Sequence, residues 1–240
     1  MYENTAHKIT LLRQKKLHPR LWYGQFELSP FSQSQALTVA HVLRRVLLSE
    51  IETTAATAVK IENVFHELTL LPGLQESIPE VLANIRGLVF ESKSQQQAQF
   101  TSTEHGHIKQ VGKKVICARD IQLPESIQVV DPNQHIATLV SNKSSFSADI
   151  HLAQSKGYTM CTDAPEFSPP LEGKEKEPNP LLPLDAVFLP VTKVNYILQQ
   201  HSYYESIILE IWTDGSISPQ KALGKASFAI RTLFSPFTAR

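Results

Sequence analysis

The chain has 240 residues, with 23 basic and 23 acidic side chains, nine His and 42% hydrophobic residues, enough for one or two domains with a sizeable core. Zero formal charge disfavours a chain that coats phosphate backbones, which needs a clear Lys/Arg excess. No run approaches the ~18 consecutive apolar residues of a membrane span, and no secretory-type apolar core stands at the N-terminus, so a soluble domain is expected.

Residues 1–20 carry Lys8, Arg13, Lys15, Lys16 and Arg20 against the single acid Glu3. A transit segment, a phosphate-contacting arm and a frayed terminus all fit, and the frayed terminus is the plainest reading. Tyr23 to Leu28 alternates like a strand that Pro30 ends. Ser34 to Ile51 has helical spacing, with Ala36, Val39, Ala40, Leu43, Val46, Leu47 and Ile51 on one face. Thr38, His41, Arg45 and Ser49 form the opposite stripe, flanked by Arg44 and Leu48; Glu50 falls on the apolar side, where the helix should fray.

Thr57 to Val64 reads as a strand. Ser77-Ile78-Pro79-Glu80 is a capping box with proline in the first turn, opening a helix with Ile78, Val81, Leu82, Ile85 and Leu88 on its apolar stripe and Gly87 as its stop. Short strands follow at 115–116, 127–130, 136–140 and 146–152, with the polar tract 92–97 as a loop or hairpin end. Residues 162–183 hold six of the fifteen prolines and a charged run, and read as a mobile connection. Strands at 185–188, 191–198 and 207–212 lead to a turn at Asp214-Gly215. Ser218 and Pro219 then open a last helix whose face comprises Ala222, Leu223, Ala226, Ala229, Ile230, Leu233 and Phe234.

Catalytic signatures are scarce. Cys117 and Cys161 make no C-x-x-C pair and read as reduced residues. No glycine set makes G-x-G-x-x-G, and the stretch from Gly106 to Lys114 has the wrong spacing for a phosphate loop. His66-Glu67 invites acid/base chemistry, but adjacent strand residues point to opposite faces. His105-Gly106-His107 reads as a solvated loop rather than a metal site. No metal or cofactor is expected.

Several stretches, taken in order over residues 23–234, resemble the N-terminal assembly domain of the alpha subunit of bacterial-type DNA-directed RNA polymerase. They are Leu43-Arg44-Arg45-Val46-Leu47-Leu48-Ser49, His66-Glu67 and Gly73-Leu74-Gln75-Glu76-Ser77. Asp120-Ile121-Gln122-Leu123-Pro124, Val129-Val130-Asp131, Gln134-His135-Ile136-Ala137 and Gly157-Tyr158 continue the match. Asp185 to Val191, Leu209 to Ser216, Pro219 and Ala222-Leu223 complete it. The wording of the segments at 134, 185 and 210 is similar to plastid versions, which points to chloroplast stroma or nucleoid, or to the cytoplasm for a bacterial chain.

The resemblance implies an α+β fold: a dimerisation subdomain of antiparallel sheet and two helices, residues 1–52 and 183–240, interrupted by a β-rich insert, 53–182. It implies a homodimer that scaffolds the beta and beta-prime subunits, with catalysis left to those subunits. Arg44, Arg45, Leu48, His66, Glu67, Gly73, Gln75 and Glu76 would face beta. Asp185, Pro190, Asn195 and Tyr196 lie towards beta-prime. Leu43, Leu47, Leu223, Ala226, Ile230, Leu233 and Phe234 would serve dimerisation. The family's glycine-rich approach to the first helix is replaced by Ser32-Gln33-Ser34-Gln35-Ala36-Leu37. No C-terminal DNA-binding domain is expected after Arg240, nor strong DNA binding by the chain itself. A free-standing homodimeric interaction protein and a small enzyme using His66 and Glu67 stand as rival readings.

Overall fold

The structure, a computed structural model, describes residues 7–93, 104–160 and 180–238. In chain order it forms β1 (Lys8–His18), β2 (Leu21–Phe31), α1 (Gln35–Ser49), β3 (Thr53–Ile61), α2 (Ile78–Arg86) and β4 (Phe90–Ser92). Next come β5 (Glu104–Val111), β6 (Lys114–Cys117), β7 (Ile127–Val129), β8 (His135–Leu139), β9 (Ser145–Ser155) and β10 (Gly157–Thr159). The chain continues through β11 (Leu181–Pro183), β12 (Ala186–Phe188), β13 (Val191–Gln200), β14 (Glu205–Thr213) and α3 (Pro219–Thr238). The strands pair antiparallel, which makes the class α+β. Among the described residues no helix is long and apolar enough to cross a membrane.

These elements sort into two compact units, residues 1–52 with 189–240 and residues 53–188. On the return, these units divide between Phe188 and Leu189. The cause is burial: Leu184 joins the core of the second unit, and Ala186 and Phe188 pack with Ala55.

In the first unit the sheet order is β1-β2-β14-β13. Strand alternation puts Phe26 and Leu28 of β2 opposite Leu209 and Ile207 of β14, and both pairs face the helices. The α1 stripe Ala36, Ala40, Leu43, Val46 and Leu47 is buried there, with Ala222, Leu223 and Ala226 of α3. Each Leu or Val among these, fully buried, contributes roughly 1.5–3 kcal/mol, and each Ala about 1 kcal/mol or less. Gly24 admits the start of α3, because a Cβ there would stand 2.5 Å from Pro219 Cβ. Ser218 supports that start, accepting the Lys221 N–H on Oγ at 3.3 Å.

Three expectations change in this unit. Residues 8–18 are a strand, not a frayed arm, because β2 supplies an eleven-residue partner. Pro30 does not end β2, since neither neighbouring strand pairs with it and its missing N–H breaks no rung. Helix α1 starts without a glycine: Ser34 itself adopts the left-handed region, φ 69°, and its N–H donates to Glu205 Oε2 at 3.1 Å.

The second unit holds a sheet in the order β5-β9-β3-β4-β7, with β11 also paired to β3. Helix α2 buries Ile78, Val81, Leu82 and Ile85 in a core with Val59, Ile61, Phe90, Ile108, Phe146 and Ile150. Its capping box is formed, with the Ser77 N–H donating to Glu80 Oε2 at 2.8 Å. That backbone N–H holds the Glu80 carboxyl below its ordinary range.

Strand β3 spans Thr53–Ile61 rather than 57–64, because the cross-strand partners on β9 begin at Thr53. His105-Gly106-His107 is not a solvated loop. It lies within β5, paired to His151, Ile150 and Asp149 of β9. The end of the proline-rich tract is β11, recruited by the burial of Leu182. The rest of that tract, most of the polar run after Lys93, and Cys161 lie outside the described residues.

Candidate protein-interaction surfaces

On the first unit, α1 turns Thr38, His41, Arg44, Arg45 and Ser49 to solvent, with Leu48 half-buried against the core. Among the described residues neither Arg guanidinium makes a hydrogen bond or ion pair. Both forks are therefore open to an incoming carboxylate or carbonyl. Ser49 Oγ donates to the Arg45 carbonyl at 2.9 Å and tightens the last turn. His41 is the member of the stripe that meets the sheet. Its ring meets Tyr196 edge-on, with centroids 5.5 Å apart.

The remaining beta-side residues lie on the second unit, between β3 and α2. Val64 is buried, and after it Thr69 Oγ1 accepts the N–H groups of Phe65 (3.3 Å) and His66 (3.1 Å). The Thr69 N–H donates to the His66 carbonyl at 2.9 Å. This tight turn projects Phe65, Leu68 and Leu70, which are 59%, 81% and 87% exposed, beside exposed His66 and Glu67. The three apolar residues were missed in the sequence, since residues 65–70 have neither helical nor strand period. Their one signal is apolar side chains ahead of the Pro72-Gly73 turn.

Residues 73–76 are held differently. Gly73 has φ +83° and sits where a Cβ would overlap Ser144 Oγ, so only glycine fits. Leu74 bridges Leu139, and the Gln75 N–H donates to the Thr138 carbonyl at 3.0 Å. Glu76 points at β8 rather than into solvent, and its Oε2 accepts the Thr138 N–H at 2.7 Å.

The residues read towards beta-prime divide between the units. Asp185, in the second, lies 3.7 Å from Arg86. In the first, Pro190 is buried and its carbonyl accepts the Asp214 N–H at 3.0 Å. Asn195 Nδ2 donates to Glu210 Oε2 at 3.2 Å, and Tyr196 meets His41. Glu210 also accepts from Tyr23, whose phenol is pushed up to about 12 by burial and then by this carboxylate.

The residues read as serving dimerisation differ in burial. Leu43, Leu47, Leu223 and Ala226 are consumed in the core of their own unit, and Ile230 is half-buried. Leu233 and Phe234 remain exposed on the far half of α3, together with Phe228 and Phe237.

No side-chain hydrogen bond joins His66 to Glu67, and both are exposed on the turn. On β5 and β9, His107 Nδ1 contacts Asp149, and the His105 and His151 rings meet edge-on at 4.5 Å. Among the described residues no three His, Cys, Asp or Glu side chains are placed to hold a metal ion. What the exposed groups offer is apolar area with guanidinium forks, the chemistry of protein recognition.

Comparison with known proteins identifies the class. Residues 59–189 match the RNA polymerase Rpb3/RpoA insert domain. Over 232 residues the chain is 38% identical to the DNA-directed RNA polymerase subunit alpha of Mesostigma viride, covering 95% of this chain and 69% of that one. The subunit alpha of Chlorokybus atmophyticus is 37% identical over 89% of this chain and 64% of its own length. That of Synechococcus sp. (strain JA-3-3Ab) is 36% identical over 89% and 62%. The chain belongs to the DNA-directed RNA polymerase alpha subunit family. It spans about two thirds of the length of these relatives.

Proposed function

We propose that the chain is the assembly scaffold of a plastid-type multisubunit RNA polymerase, the non-catalytic subunit of a nucleotidyltransferase complex. Two copies pair through the exposed end of α3, with Leu233, Phe234 and Phe237 as the apolar contacts. The beta-type subunit docks on two separate surfaces: the Arg44, Arg45 and Leu48 side of α1, and the Phe65–Leu70 turn with His66 and Glu67. The beta-prime-type subunit takes the Asp185 to Tyr196 segment. Residues 1–52 with the C-terminal part form the dimerisation subdomain, and the middle of the chain is the insert.

One observation carries this reading. A chain related over about nine tenths of its length to polymerase alpha subunits keeps Leu68 and Leu70 in water on a turn held by hydrogen bonds. An isolated protein gains nothing from that arrangement; a partner that buries the pair does. The balanced charge fits a subunit that meets DNA through its partners rather than directly.

The test is capture from plastid extract with the tagged chain, followed by mass spectrometry. Recovery of both large polymerase subunits with a second alpha copy is the expected result. A clean homodimer without them favours the free-standing interaction protein and removes the scaffold assignment.

A further inference from the structure

We propose that Glu76 is a positioning residue: its carboxylate latches the 73–76 segment onto β8 and thereby sets how the Phe65–Leu70 turn is presented to its protein partner. The inference rests on the reading of that turn as a docking element for the beta-type subunit. It assigns Glu76 a role played through the turn and not by touching the partner.

The geometry is unusual for a glutamate between two exposed residues. Gln75 and Ser77 face solvent, yet the Glu76 side chain is only 15% exposed. Oε2 accepts the Thr138 N–H at 2.7 Å, and Oε1 lies 3.2 Å from His135 Nε2. His135 Nε2 is in turn 3.0 Å from Thr138 Oγ1. One carboxylate thus holds two groups of β8, and a carboxylate accepting from a backbone N–H makes one of the stronger hydrogen bonds in a protein.

Backbone contacts complete the attachment. The Gln75 N–H donates to the Thr138 carbonyl, and the Val140 N–H to the Gly73 carbonyl, each at 3.0 Å. The turn is therefore tied at both ends, by buried Ile61 and Val64 on one side and by the Glu76 latch on the other. Between the ties, Phe65, Leu68 and Leu70 stand out, held by the hydrogen bonds to Thr69 and flanked by Leu71, which packs against the core. An apolar tip whose ends are already ordered loses less conformational entropy when a partner closes on it. Releasing the latch leaves the apolar area intact but removes that preorganisation.

The experiment uses the full chain with its beta-type partner, read by amide exchange and by capture affinity. Glu76→Ala is expected to speed exchange at Thr138 about tenfold or more and to speed it across 65–70 as well. Capture should weaken by about tenfold, since preorganisation is lost. Glu76→Gln keeps an acceptor for the Thr138 N–H and should restore most of both readings. Should Glu76→Ala fail to fold, Glu76→Asp serves, its carboxylate being one methylene short of reaching both partners. A paired Leu68→Asp, Leu70→Asp chain should lose capture with Thr138 exchange unchanged. Unchanged exchange at 65–70 in Glu76→Ala overturns the latch. So does full capture by Glu76→Ala when the paired Leu variant captures nothing. Normal capture by the paired Leu variant instead overturns the docking reading, and the exchange data then judge the latch alone.

Discussion

The Tyr196 hydroxyl lies 3.3 Å from His41 Nε2, with the two rings packed edge to face. His41 belongs to the exposed stripe of α1, and Tyr196 to β13. A member of the exposed α1 stripe and a residue read towards beta-prime are thus direct neighbours within one unit. The α1 stripe is continuous with the β13 strand, so a partner seated on one meets the edge of the other.

That contact should be measurable. A double-mutant cycle with His41→Ala and Tyr196→Ala is expected to show a coupling of about 0.5 kcal/mol in denaturant unfolding. Strict additivity of the two single changes contradicts the contact.

Arg45→Ala should leave folding within about 0.5 kcal/mol, since its exposed side chain makes no hydrogen bond or ion pair among the described residues. Capture of the beta-type subunit should fall by about 30-fold or more, equivalent to roughly 2–5 kcal/mol for a fork lost from a desolvated interface. From its flank position Arg44 is expected by sequence to brace the fold. The structure corrects that expectation, because Arg44 is also exposed and makes no ion pair among the described residues. Arg44→Ala should melt like the parent chain. A melting curve and a pull-down for each variant decide both statements.

Leu233→Glu and Phe234→Glu should each leave protomer stability nearly unchanged, since both side chains are already exposed. Self-association should weaken by about 30-fold, the loss expected when a hot-spot side chain is replaced by a charge. Sedimentation equilibrium of the paired variant tests this. A dimer that persists at the parent's dissociation constant removes α3 from the interface.

Ser34→Gly should stabilise the chain. Ser34 holds φ 69°, a region that costs a residue with a Cβ about 1 kcal/mol or more. The greater freedom of glycine in the unfolded chain offsets part of that gain. A net rise of about 0.5 kcal/mol, or one to two degrees in Tm at roughly this size, is expected by calorimetry. A lower Tm means that the serine hydroxyl contributes something the backbone conformation does not explain.

Asp214 gives a pH signature. Burial pushes its carboxyl above the ordinary 3.8, against hydrogen bonds from the Ser216 N–H and hydroxyl. The folded state therefore takes up this proton at higher pH than the unfolded chain. Stability from this group is fully present below 3.8 and is lost as pH rises through the raised folded value. Asp214→Asn keeps the acceptor without the charge. It should be more stable than the parent at neutral pH, with the difference shrinking as pH falls below the carboxylate range. Denaturant midpoints across an acid series check the sign.

The elements written by local rules were legible in the sequence. Helix α1 follows from the spacing of Ala36, Ala40, Leu43 and Leu47, because a helix satisfies its backbone within itself and needs only one apolar face. Helix α2 follows from Ser77 and Glu80, whose reciprocal capping is decided within four residues. The family resemblance was likewise carried by short segments in order, and it spoke to partners that no periodicity reveals. Tertiary structure decided the rest, because a strand's backbone groups are satisfied only by another stretch of chain. Residues 8–18 became β1 once 21–31 lay beside them, and His105 to His107 became a strand because β9 pairs with them. The same holds for the surfaces. Composition makes Leu43 and Leu233 equivalent, yet packing buries the first and leaves the second to solvent, since α3 runs on past the core that covers its opening turns.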